Sequence, residues 1–247
     1  MSVPVVPGNR PLTPQQQQGL DGVARIGGGR DVVLAIDLTE SVGINDPGRQ
    51  HLRQIIEKTL APGDTVHIIS FATTTRPPLV FHYQGAQSIP KILAVIPMNA
   101  GPEQGTDIMC AELDAYKYVA QLNQDRLVNN QPIKPQSVVW ITDAPLEIPE
   151  GQSQQWKEAP FSSCGIQTSE LAQARTMWME KLPRISREIQ PGKFRLTVVD
   201  IQPTVQEFCT PRPGGGEVCL VNEYLIKQLW LPGLVAGGVG LFAVLGL

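Results

Sequence analysis

The sequence lacks the spacings by which cysteine and histidine usually mark a metal site. Its four cysteines, Cys110, Cys164, Cys209 and Cys219, form no CxxC pair, and its three histidines, His51, His67 and His82, form no HExxH or similar helical pairing. The common zinc and haem patterns are thereby excluded, and the histidines read as ordinary structural or surface residues. There is no basic block either: 20 lysines and arginines are scattered among 23 acidic residues, for a net charge of −3. A phosphate-binding surface is not expected, and neither is nucleic acid as a partner. The first residues, MSVPVVPGNRPLTPQQQQGL, have no basic start and no long apolar core, so they do not read as a secretory signal. Residues 1–29 are read as a flexible leader. Without an export signal the default is a reducing environment with free thiols. A disulfide between Cys209 and Cys219, which flank TPRPGGGEV, is the alternative if the domain faces an oxidising space.

What the chain does have is a recurring pattern of apolar runs that end on aspartate. At 247 residues it can bury a sizeable core, and without its apolar tail it fits one α/β domain of ordinary size. In DVVLAIDLTESVGIND, residues 31–46, Val32 to Ile36 read as a strand buried on both faces, with Asp37 at its carboxyl end. Residues 52–60 carry Leu52, Ile55, Ile56 and Leu60 at helical spacing. TVHIISFA (65–72) is a second strand, and PLVFHY (78–83) is a short one suited to an antiparallel edge. SIPKILAVIP and DIMCAELDAYKYVAQL are helical, and SVVWITD (137–143) repeats the opening pattern, ending on Asp143. SELAQARTMWMEKL is a further helix, and KFRLTVVDI (193–201) a further strand holding a third such aspartate, Asp200.

Strands alternating with helices predict an α/β fold: a doubly wound, mostly parallel sheet flanked by helices. Right-handed crossovers bring the carboxyl ends of parallel strands to one edge, where ligands of such sheets collect. Asp37 with the hydroxyls of Thr39 and Ser41 is therefore a candidate site for a hard cation. A turn capped by these side chains is the simpler reading of the triplet alone.

The segments AIDLTES, GTD and WITDA together resemble the von Willebrand factor type A domain with its metal-ion-dependent adhesion site. The resemblance covers about residues 30–201. It implies a metal held by Asp37, Thr39 and Ser41, by Thr106 and by Asp143, with one position open to a carboxylate from a protein partner. Thr39 stands where the family usually has serine and keeps the hydroxyl. Ala144 stands where many members have glycine. The implied cofactor is Mg2+ or Mn2+, since magnesium prefers six oxygens and gives up water reluctantly. Asp46 and Asp107 read as helix-start residues instead. Long insertions after Asp143, with Trp156 and Phe161, and after Asp200 lie beyond strand ends, where loops often select the partner.

The tail LWLPGLVAGGVGLFAVLGL, residues 229–247, holds no charged residue. At about 1.5 Å per residue it is long enough to cross a hydrocarbon core, and a transmembrane helix is expected over 227–247. Residues 202–226 then form a C-terminal hairpin or linker. With Lys227 on the near side, a cytoplasmic domain on a single-pass C-terminal anchor is expected. The resulting expectation is a non-enzymatic, membrane-tethered domain that binds an acidic residue of another protein through the ion. Two rivals remain: a scaffold or assembly subunit with no ion, and a haloacid-dehalogenase-like phosphatase. The latter needs a second aspartate two residues after the first, where this chain has Thr39.

Overall fold

The computed structural model describes residues 8–39, 52–97, 105–142, 146, 173, 177, 182–190 and 195–230. The chain divides into two compact units. A sheet unit comprises Gly29–Val119 with Gln136–Gln202, and a terminal unit comprises Met1–Gly28, Ala120–Pro135 and Pro203–Leu247.

The sheet unit is α/β. Its six strands are β1 (Asp31–Asp37), β2 (Thr65–Phe71), β3 (Leu79–His82), β4 (Gln136–Thr142), β5 (Arg184–Gln190) and β6 (Arg195–Ile201). They lie in the order β3-β2-β1-β4-β6-β5. β1 pairs in parallel with β2 and β4, and every residue of these three strands is buried, as their unbroken apolar runs require. β3 lies antiparallel at the edge, as expected from PLVFHY.

The far side of the sheet corrects the mostly parallel expectation. β6 runs antiparallel to both β4 and β5, so the sheet is mixed, with more antiparallel than parallel pairings. Only residues 191–194 separate β5 from β6, and a parallel crossover needs a dozen or more. The short link forces the two strands to run in opposite directions. β5, RISREIQ, offers neither an apolar run nor an alternation to read, and its Ile185, Ser186 and Arg187 are exposed.

One face of the sheet carries Val32, Leu34 and Ile36 with Val66, Ile68, Val139 and Ile141. Against it pack α2 (Leu52–Thr59), through Leu52, Ile55 and Ile56, and α3 (Ile89–Val95), through Ile89 and Ile92. Alternation puts Val33, Ala35 and Asp37, then Val138, Trp140 and Thr142, on the other face. There α4 (Ile108–Val128) lays Tyr116 edge-on to Trp140 at 6.1 Å and Tyr118 edge-on to His67 at 5.4 Å. His67 is a structural residue: its Nδ1 is 2.8 Å from the Tyr118 hydroxyl and its Nε2 is 3.5 Å from Asp31.

The terminal unit corrects two expectations. Residues 1–29, read as a flexible leader, hold α1 (Pro14–Ile26), started by a capping box between Thr13 and Gln16. Its Leu20, Val23 and Ala24 are buried with Val205, Val221 and Tyr224 of the C-terminal segment. This apolar stripe, embedded in a glutamine-rich run, is what keeps α1 folded. The free-thiol expectation also fails. Cys209 and Cys219 are bonded across the hairpin of β7 (Cys209–Pro211) and β8 (Glu217–Cys219). Cys110 is disulfide-bonded as well, and Cys164 lies outside the described residues. Gly214, Gly215 and Gly216 close the hairpin with φ of 96°, 103° and 82°, values that favour glycine at each position.

After the hairpin come α5 (Leu220–Leu225) and a π-helical turn, Ile226–Trp230. No helix among the described residues is long and apolar enough to cross a membrane. Residues 231–247, which make up most of the expected span, lie outside the described residues. So does most of the helix expected from SELAQARTMWMEKL.

Candidate metal centre

β1 connects to β2 on one side while β4 lies on its other side, so the carboxyl ends of β1 and β4 form the point where the strand order reverses. Ile36 pairs with Ile141, which brings Asp37 abreast of Thr142, and both side chains point to the α4 face. The loop that ends in Thr106 precedes α4, and the amide of Asp107 donates to the carbonyl of Ala72, just beyond β2, at 2.9 Å. Three separate elements are therefore anchored around one carboxylate.

Asp37 is fully buried. Its Oδ1 accepts from the amide of Thr39 at 3.0 Å and from the Thr39 hydroxyl at 2.7 Å. Its Oδ2 accepts from the Thr142 hydroxyl at 2.7 Å. The Thr106 hydroxyl lies 3.4 Å from Oδ2 and 3.0 Å from the Thr39 hydroxyl oxygen. A buried carboxylate needs such donors, because leaving it bare in a low-dielectric interior is costly.

These residues fit a hard cation. The donor set is oxygen only, and a hydroxyl that gives its proton to a carboxylate keeps its lone pairs as acceptors. Magnesium–oxygen bonds of about 2.0–2.1 Å in an octahedron put adjacent ligand oxygens about 2.9–3.0 Å apart, and the Thr39 and Thr106 oxygens stand at 3.0 Å. Around such an ion Asp37 would orient the Thr39 and Thr142 hydroxyls and supply the negative charge. The same bonds also close an Asx turn at the strand end, so the cluster is a complete structural unit without any ion.

Of the five metal-site residues expected from sequence, the structure brings Asp37, Thr39 and Thr106 together. Ser41 and Asp143 lie outside the described residues, as do Asp46, Ala144, Trp156 and Phe161. Asp107 caps α4, accepting the amide of Cys110 at 3.0 Å, as its position before the helix implied. Thr142 is the member that sequence reasoning missed. The available signal was its place as the last strand residue, abreast of Asp37 in a parallel pair.

Asp200, the third strand aspartate, lies elsewhere. Because β6 is antiparallel, Asp200 pairs with Ser137 near the amino end of β4, at the edge opposite Asp37. There it accepts from Ser137 at 2.8 Å and from Arg187 at 2.6 Å. The segment after β6 accordingly leaves from that opposite edge. Glu207, Cys209 and Cys219 also cluster, but the disulfide uses both sulfurs, and Glu207 accepts the amides of Phe208 and Val221 at 3.0 Å each.

Near the candidate centre, burial pushes the Asp114 carboxyl above its ordinary range. A hydrogen bond from Thr75 and the charge of Lys117 pull it back, while Asp107 adds to the rise. No protein-family model matches the chain, and no curated protein does.

Proposed function

We propose that the chain is a von Willebrand factor type A-like domain, tethered to a membrane by its C-terminal tail, that binds another protein through Mg2+ or Mn2+. The reading rests on one observation: Thr106, distant in sequence, reaches within 3.4 Å of Asp37 and 3.0 Å of Thr39 at the switch point of the sheet. Thr39 and Thr106 would hold the ion directly, Asp37 and Thr142 would orient them, and Ser41 and Asp143 are the proposed remaining contributors. When bound, the ion supplies an electrophilic position that an Asp or Glu of the partner completes.

The protein's own groups account for the rest. The buried carboxylate takes the protons of the Thr39 and Thr142 hydroxyls and would leave the Thr39 lone pairs to an ion, while the β1 end and the loop before α4 set the Thr39–Thr106 spacing. Catalysis is not assigned. The side chain two residues after Asp37 is a threonine whose hydroxyl donates to Asp37 itself, so it offers no acid or base to a phosphoryl group.

The bonded cysteines support placing the domain on the oxidising side of its membrane, in place of the cytoplasmic side suggested by Lys227. The test is a pull-down from membranes with magnesium, with chelator, and with Asp37→Ala. Partners should be captured in the first condition and lost in the other two. Identical capture in all three would leave the scaffold reading.

A further inference from the structure

Within the terminal unit, the C-terminal ends of three helices meet at one end. α1 and α5 run side by side in the same direction: Gln16 Nε2 donates to Asn222 at 2.8 Å, and one turn further Gly19 abuts Leu225. Continuing that register brings the last turn of α1 level with the residues that close the Ile226–Trp230 turn. Gln228 donates to the carbonyl of Asn130, two residues beyond α4, at 2.8 Å. Gly27 abuts Pro132. Residues 26–27, 128–132 and 228–230 thus share one end of the unit, and Ile226, level with Leu20 in the same register, stands about 9 Å short of Ile26 along the helices.

That end is apolar where it should be polar. Six large hydrophobic residues are exposed among the described residues, and Ile26, Val128 and Ile226 are three of them, at 78%, 44% and 54% exposure. The other three, Leu79, Val80 and Ile185, sit on edge strands of the sheet. Arg25, Arg126 and Lys227 stand in the last turns of the same helical segments, where they complement the negative ends of the helix dipoles. Apolar tips ringed by cations are the composition of a surface that lies in the headgroup region of a bilayer. The charge-free residues 231–247 follow directly from Trp230, the last described residue at this end.

We infer that this end of the terminal unit docks on the phospholipid surface, with Ile26 and Val128 entering the headgroup and acyl boundary, Ile226 at its polar margin, and Arg25 and Lys227 meeting lipid phosphates. The inference rests on the membrane-tether reading. The tail brings the surface to the unit at high effective concentration, so a small apolar contact is sufficient to set its orientation.

Among the described residues no cysteine is free, so single cysteines introduced into the full-length protein can be labelled without reductant, with the unsubstituted chain as the control for background labelling. A fluorophore at Ile26→Cys or Val128→Cys, in phosphatidylcholine vesicles with and without phosphatidylglycerol, should be quenched by headgroup-level nitroxide lipids, whereas one at Ile185→Cys should not. Adding Val128→Glu to the position-26 variant should lower its docked-to-undocked ratio roughly tenfold. Vesicle flotation of the same samples separates the two readings. Protein that floats, yet shows the same quenching at 26 as at 185, keeps its tether and overturns the docking surface. Protein that does not float overturns both. Excimers between pyrene labels at position 26, without lipid quenching, would assign the patch to a second copy and also overturn the inference.

Discussion

The hydroxyl of Thr142 donates to Oδ2 of Asp37 at 2.7 Å across a sequence separation of 105 residues. Neither residue can move without disturbing the other, because the parallel pairing of β1 and β4 puts them abreast and each is almost fully buried. This bond joins the two strand ends between which the candidate metal centre is built.

Asp37→Asn should abolish magnesium uptake measured by calorimetry. It should also lower stability by about 2–4 kcal/mol, since an amide nitrogen replaces an acceptor and leaves buried hydroxyls poorly paired. Urea unfolding with and without magnesium separates the two effects. The wild-type midpoint should rise with the metal and that of the variant should not.

Thr142→Val keeps the shape and removes the hydroxyl. We expect a loss of about 1–2 kcal/mol in urea unfolding and weaker magnesium binding, with Thr142→Ser restoring both. A valine variant that binds magnesium normally would show that Thr142 serves the fold alone.

The Cys209–Cys219 bond closes a short loop, with a sequence separation of 10. Cys209→Ser combined with Cys219→Ser should destabilise the terminal unit by about 3 kcal/mol on the chain-entropy model. Hydrogen exchange should quicken in α1 and α5, whose buried apolar residues share one cluster. Magnesium uptake should persist, because the candidate ligands belong to the sheet unit.

Burial raises the folded pKa of Asp114 above its ordinary value of 3.8. Between those two values the folded chain holds a proton that the unfolded chain has released, so stability falls as pH rises through the window. Below 3.8 the contribution is fully present, and above the raised value it is lost. Asp114→Asn should flatten this dependence. Urea midpoints measured from about pH 4 to about pH 7 would show it as a smaller slope than that of the wild type.

Much of the sheet unit was legible in the residues. The apolar runs at 32–36 and 138–141 announce buried strands because a strand covered on both faces has no polar side to show. β5 was not legible, since Ser186 and Arg187 face solvent and its pairing with β6 gives no local signal. α1 was hidden by its glutamines, although Thr13, Pro14 and Gln16 spell a helix start. The direction of β6 was not legible, because an aspartate near a strand end, such as Asp200, looks the same whichever way the strand runs.

By itself the sequence determined the buried strands β1, β2 and β4 and where the hydroxyls and carboxylates stand at their ends, because period and composition are local properties of the chain. Tertiary structure alone decided the direction of β6 and the exclusion of Asp200. It also decided the arrival of Thr142 beside Asp37, and the meeting of residues 26–27, 128–132 and 228–230 at one end of the terminal unit. The reason is that these follow from pairing and packing between distant segments, whose free energy depends on the whole arrangement rather than on any one stretch.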